Sequence, residues 1–176
     1  MIMLQRNLYS FWVGTNNLVM NENRINGIES LKNNSKVNYI LITNETLPSY
    51  ILDDHPLHPG YEYLSDVHKA DYLRTYFMHH HGGGYTDIKP CSWDWNPYFD
   101  QLESSDAFGI GAPEDEFELS VTPKQRPWLG QHWDKLMTND LYIFKPNTEF
   151  TTKWYNTLLS IMDVKFNNLQ KFPAKS

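Results

Sequence analysis

Cysteine is almost missing from this chain. Cys91 is the single one in 176 residues, so no internal disulfide can form and nothing here calls for an oxidising compartment. No apolar run approaches the roughly 18 residues of a membrane-spanning helix, and the N-terminal stretch lacks the apolar core of a secretory signal. A protein without a transmembrane segment and with a cytoplasmic location is the simplest expectation. Positive charge is also scarce: Lys and Arg number 15 against 21 Asp and Glu, a formal charge of −6, with no basic run. That argues against nucleic acid as the main partner, because neutralising phosphates needs clustered Lys and Arg. There is no internal repeat and no low-complexity segment.

What the chain has in quantity is aromatic residues: six Trp, eleven Tyr and nine Phe. Flat amphipathic rings serve cores, sugars and bases alike. The length suits one domain with a real core, and 40% hydrophobic with 20% charged residues is ordinary for a globular protein.

Residues Asn7 to Gly14, aromatic and branched and ending in glycine, read as a buried first strand. Asn21 to Ser35 carries Ile25, Ile28 and Leu31 at a spacing of three, an amphipathic helix that Gly27 weakens. Val37 to Thr43 is a second strand, so the opening is a βαβ unit. Pro48, Pro56, Pro59 and Gly60 make residues 44–63 connecting chain with one short helix near Ser49 to Leu52. Further on, Cys91 to Pro97 reads as an aromatic loop leaving the cleft, Ala107 to Ala112 as a strand, Pro113 to Gly130 as a long polar loop, and Leu141 to Pro146 as a strand stopped by proline. Thr148 caps a last helix with Phe150, Trp154, Leu158, Ile161 and Met162 at helical spacing.

Between these lies the stretch that organises the rest, Ser65 to Pro90. Ser65 is a good N-cap and Asp66 an acid in the first turn, where the helix dipole favours it. Val67, Ala70, Leu73 and Phe77 mark the face of a helix running from Ser65 to His81. Gly82, Gly83 and Gly84 stop it, and a strand begins. Asp71 and Arg74 are three apart on one side of that helix. Tyr85 and Asp87 alternate on the strand and point to one side of the sheet. The two pairs meet across the glycine turn, lining a cleft at the carboxyl ends of strands, where open α/β sheets bind ligands.

Ala70-Asp71-x-x-Arg74 followed by Gly83-Gly84-Tyr85-x-Asp87-x-Lys89 resembles the signature of the DXD sugar transferases, which include yeast mannosyltransferases, capsular polysaccharide transferases and the large clostridial glucosylating toxins. Phe11-Trp12-Val13-Gly14 is similar to that group's opening strand. The resemblance covers residues 7–90 and departs at Lys89, which stands where the group has its last acid. It implies a single-domain GT-A-like fold, a Rossmann-type α/β sheet flanked by helices. It further implies a glycosyltransferase of polysaccharide biosynthesis that moves a hexose from a nucleoside-diphosphate sugar, a UDP-sugar favoured, to a glycan or other hydroxyl acceptor with retention of configuration. Against such relatives, residues 171–176 read as a shortened C-terminus.

By the same resemblance Trp12 and Gly14 lie against the nucleotide, with Trp12 stacked on the base, and Asp71, Arg74, Tyr85 and Asp87 bind the donor. Two of these have a plain structural alternative: Trp12 as core, and the Asp71–Arg74 pair as a helix-surface pair worth a few tenths of a kcal/mol. Asp87, Lys89 and Arg74 are the catalytic candidates. Asp87 is the best ligand for a divalent cation, manganese or magnesium, bridging to the diphosphate. Lys89 has two readings: an ammonium doing the cation's work as a point charge, or a solvent-facing side chain beside a metal held by Asp87 and other acids.

His79, His80 and His81 cannot converge on one ion, since adjacent helical residues point about 100° apart. Glu114, Asp115, Glu116 and Glu118 read as an acidic surface loop. Asp140 precedes the last strand and carries little weight. Two other functions stay open: a non-catalytic nucleotide-sugar-binding homologue, favoured by the broken DXD, and a carbohydrate-binding protein using Trp93, Trp95, Trp128 and Trp133.

Overall fold

Strand β1 (Asn7–Trp12) is buried through its four central residues, as a strand covered on both faces must be. The computed structural model describes residues 4–14, 19–113, 128, 132 and 135–174. Among them, β1, β2 (Asn38–Thr43), β3 (Gly83–Thr86), β4 (Gly109–Pro113) and β5 (Met137–Phe144) form one sheet in the order β2-β1-β3-β5-β4. β1 is parallel to β2 and β3, while β5 is antiparallel to β3 and β4.

Helices cover both faces. α1 (Glu22–Asn34) and α3 (Asn96–Glu103) pack Leu31, Phe99 and Leu102 with Leu8, Trp95 and Ile143. On the other face α2 (Asp66–His80) and α4 (Glu149–Lys171) pack Tyr72, Leu73, Phe77, Tyr155 and Met162 with Tyr9, Phe11, Val13 and Ile42. The result is a single-domain α/β protein whose mixed sheet is flanked by helices, compatible with a Rossmann-like arrangement. The chain leaves β1 for β2 on one side and returns through α2 to β3 on the other. The strand order therefore reverses between β1 and β3, a topological switch point.

Ser65 caps α2 as expected, its hydroxyl accepting from the His68 N–H, but the buried face differs from the expected one. Val67 is exposed, and the buried stripe runs through Lys69, Tyr72, Leu73, Tyr76 and Phe77. α2 is gripped by α4 as well as by the sheet, so it needs a wider stripe, and tyrosines complete it. Their hydroxyls are satisfied: Tyr72 accepts from the His58 N–H at 2.9 Å, and Tyr76 accepts from the Leu52 N–H at 2.9 Å and donates to the His55 carbonyl at 2.7 Å. Ile25 of α1 is likewise half-exposed, with Gly27, Ile28 and Leu31 buried instead. Gly27 is where α1 presses on the chain leaving β3: a Cβ there would lie 3.2 Å from Ile88 Cγ2 and 3.3 Å from the Lys89 nitrogen.

Of the three glycines, only Gly82 ends the helix, at φ +65° with its N–H bonded to the Phe77 carbonyl at 2.9 Å. Gly83 and Gly84 already belong to β3, and Gly83 (φ +90°) lies so close to β1 that a Cβ would meet the Asn7 carbonyl oxygen at 2.6 Å. Three other boundaries also move. The expected helix at Ser49 to Leu52 is a 3-10 turn over Leu47–Tyr50. β5 starts at Met137 and so takes in Asp140. Residues 96–103, expected in part as an aromatic loop, form α3 with Pro97 in its first turn and Phe99 and Leu102 buried. Most of the polar loop from Pro113 to Gly130 lies outside the described residues.

The far end of α2 carries the histidines. The His80 ring sits 4.6 Å from both His55 and His79, 4.4 Å from Tyr76 and 4.8 Å from Tyr155. Burial, then the neighbouring His79, His55 and His81, push His80 down to about 4, against Asp54. The unfolded chain binds this proton near pH 6.5, so stability present above that pH is lost progressively as pH falls from 6.5 towards about 4. The expected result is a melting temperature that drops over this window and drops less in His80→Phe, as read by thermal unfolding at a series of pH values.

Candidate functional site

The carboxyl edge at the switch point is where β1 and β3 end and α2 begins. Gly14, just past β1, is clamped by Asn44, which accepts from its N–H at 3.2 Å and donates to its carbonyl at 2.7 Å. A Cβ on Gly14 would fall 2.3–2.5 Å from the Asp66 carboxylate. A larger residue there would have to move the Asp66 side chain off the end of β1.

Asp71 and Arg74 of α2 form an ion pair. Arg74 also donates to the Asn139 carbonyl, and its guanidinium carbon lies 5.0 Å from the centre of the Tyr85 ring. The side chain is 11% exposed, so this guanidinium is sandwiched rather than waving on the surface. Tyr85 stacks on Phe11 at 5.5 Å and donates its hydroxyl to Asp87 Oδ1 at 2.6 Å. Burial, opposed by the Arg74 charge and reinforced by Asp87, raises the Tyr85 phenol well above its ordinary range, so it stays a donor. Residues from the two halves of the motif thus converge.

Beyond Asp87 the cluster gains a member that sequence reasoning underweighted. Asp140, in β5 opposite the end of β3, accepts the Asp87 N–H on its carbonyl at 2.9 Å and the Lys89 ammonium on Oδ2 at 2.9 Å. Lys89 Nζ is also 3.7 Å from Asp87 Oδ2. Its hydrogen bond with Asp140 raises Lys89, against partial burial. Burial works to raise Asp140, yet Thr138 and Lys89 hold it below the usual carboxylate range. The signal available in the sequence was parity alone: antiparallel pairing of β3 with β5 sets Asp140 beside Asp87 once that pairing is known.

Trp12 stands apart. It is the last residue of β1 and half-buried, and strand alternation groups it with Leu8 and Ser10 on the α1 face. Asp71, Arg74, Tyr85 and Asp87 belong to the α2 face. A base stacked on Trp12 has to reach over the strand end.

A divalent cation at Asp87 would compete with contacts that Asp87 already makes. Asp87 Oδ1 is taken by the Tyr85 hydroxyl, and the ammonium of Lys89 already bridges Asp87 and Asp140. Among the described residues no three His, Cys, Asp or Glu side chains converge as metal ligands; Glu114, Asp115, Glu116 and Glu118 lie outside them. Lys89 is 56% exposed, so its ammonium faces solvent while paired with Asp140 at 2.9 Å and Asp87 at 3.7 Å.

Asp71 and Arg74 also line a groove of about 650 Å³ between α2 and α4, with Asn139, Trp154 and Met162. No helix among the described residues is long and apolar enough to cross a membrane. Comparison with known proteins finds no matching family model, no curated relative and no solved structure.

Proposed function

We propose that this edge binds a nucleoside-diphosphate sugar, a UDP-sugar first, and that the protein is a glycosyltransferase of GT-A-like type acting on a glycan or other hydroxyl acceptor. The observation that carries the reading is the meeting of Asp71 and Arg74 from α2 with Tyr85 of β3 and Asp87 just beyond it at a topological switch point. These are the residues of the donor-binding motif that the sequence resembles.

The reaction breaks the bond between the anomeric carbon and the diphosphate oxygen and forms one to the acceptor oxygen, with the hydroxyl proton leaving with the diphosphate. Catalysis of this step rests on positioning and on stabilising the departing charge. Arg74 presents a planar set of donors suited to phosphate or sugar oxygens. Lys89 has three donors; Asp140 takes one at 2.9 Å, with Asp87 farther off at 3.7 Å, and an ammonium so held keeps a donor for a phosphate oxygen. Asp71, Asp87 and Asp140 are balanced by Arg24, Arg74 and Lys89, with Arg24 close enough to act on Lys89. A diphosphate is then held by directed charge-assisted hydrogen bonds rather than by net charge.

A titration of UDP-sugars by calorimetry, with donor hydrolysis followed in parallel, tests the reading. Saturable binding with release of free sugar supports it; no binding of any nucleotide sugar sinks it. Lys89 in place of the acid favours a second reading, a nucleotide-sugar-binding module without turnover, which binding without hydrolysis would select. Trp12→Ala is expected to weaken UDP binding by about 1 kcal/mol, the low end for base stacking. Unchanged affinity in a folded variant returns Trp12 to the packing between β1 and α1.

A further inference from the structure

Arg24 is a cation that the donor motif leaves unused. It sits in the first turn of α1, half-buried, and its Nη1 donates to the Ile88 carbonyl at 2.6 Å. Ile88 directly precedes Lys89, and α1 presses on the same point through Gly27. Strands β1 and β3 run parallel with Leu8 level with Gly84 and Tyr9 with Tyr85. Ser10 keeps the two in step, its hydroxyl donating to the Thr86 carbonyl at 2.6 Å. Carried on, this register sets Trp12 level with Ile88. Trp12 by strand alternation, and Ile88 by its contact with Gly27, both belong to the α1 face. The strand ends thus carry Trp12 and Arg24 on the α1 side and Asp71 and Arg74 on the α2 side, with Lys89 at the edge in between.

The charge of Arg24 is not balanced locally. No described carboxylate lies within ion-pair distance of it, and Glu22, the acid of the same turn, is exposed. A cation in a first helical turn gains nothing from the helix dipole. Arg24 also lies close enough to Lys89 to oppose its protonation, so two like charges are held near each other at a cost that a bound anion relieves. We propose that Arg24 binds a phosphate of the nucleotide sugar from the α1 side, jointly with Lys89. This rests on the nucleotide-sugar reading and extends it. The base lies against Trp12, the diphosphate spans Arg24 and Lys89, and the sugar points towards Asp71 and Arg74, so the donor crosses the sheet edge at its diphosphate. Trp12, set apart from the motif residues, then has a phosphate-binding partner on its own face. The Ile88 carbonyl occupies one of the guanidinium's five N–H donors, and a planar fork with donors to spare suits phosphate oxygens.

The test is calorimetric titration of the full chain with UDP in about 20 mM and about 500 mM sodium chloride, between which the screening length falls from roughly 20 Å to roughly 4 Å. Arg24→Gln is expected to weaken UDP binding about tenfold at low salt, the low end for a hydrogen bond between charged groups. The gap between parent and variant is expected to narrow to about threefold or less at high salt, because a charge on a half-exposed side chain is screened. If Arg24 only holds the Ile88 carbonyl, the gap does not respond to salt. That result, or no gap at either salt, overturns the proposal. Arg24→Met, neutral and of similar length, carries the same measurement if Arg24→Gln fails to fold. A parent protein that binds UDP no better than Arg24→Gln removes Arg24 from the site and leaves the nucleotide-sugar reading standing. A parent that binds no UDP removes that reading, and the role of Arg24 with it.

Discussion

Arg74→Lys is expected to weaken nucleotide-sugar binding by about 2–3 kcal/mol, roughly 30- to 150-fold, although formal charge is kept. The guanidinium does three things at once: it pairs with Asp71, donates to the Asn139 carbonyl and lies 5.0 Å from the Tyr85 ring centre. A lysine ammonium is a point charge with no plane, so it cannot keep the stacking and both hydrogen-bonded directions together. Asp71 is 44% exposed, and solvent screening limits what its half of the pair adds to folding. Most of the loss should therefore appear in ligand affinity rather than in melting temperature. Calorimetry on the variant, with thermal unfolding as control, reads both. Unchanged affinity and turnover in a stable variant would reduce Arg74 to a structural partner of Asp71.

The meeting of Asp71 and Arg74 with Tyr85 and Asp87 was readable in the sequence because each step is local: helix spacing, a glycine break and strand alternation. The order β1, α1, β2, α2, β3 was readable for the same reason. What depended on distant packing was not. Val67 looked like core by spacing, but α4 turns the buried stripe of α2 towards Tyr72 and Tyr76, and tyrosines do not register in a search for aliphatic periodicity. Helix α3 was hidden behind Trp93, Trp95 and Pro97, which suggest a loop until Phe99 and Leu102 are seen to fill the α1 side of the core. Asp140 gained its place only through the antiparallel pairing of β5 with β3, a contact between residues more than fifty positions apart.

Lys89 gives the largest expected effect. With its ammonium bridging Asp87 and Asp140, the protein carries a built-in cation where the resembled transferases place an acid that binds metal. Donor binding should therefore be nearly indifferent to chelator. Lys89→Asp removes the cation and adds a third carboxylate beside Asp87 and Asp140, leaving like charges that an external divalent cation would relieve. The expected outcome is loss of donor binding by about 100-fold or more without metal, and recovery with manganese or magnesium. Lys89→Ala should sit between, weakened but not made metal-dependent to the same degree. An ammonium carries one charge where a divalent ion carries two, so under the proposed function the stabilisation of a leaving diphosphate would be partial, and turnover is expected to be slow beside a tight-bound donor. The measurement is a matrix of the three proteins against chelator, magnesium and manganese, read by calorimetry and by product formation. A parent protein that loses all donor binding in chelator would show that an external cation, not Lys89, neutralises the diphosphate.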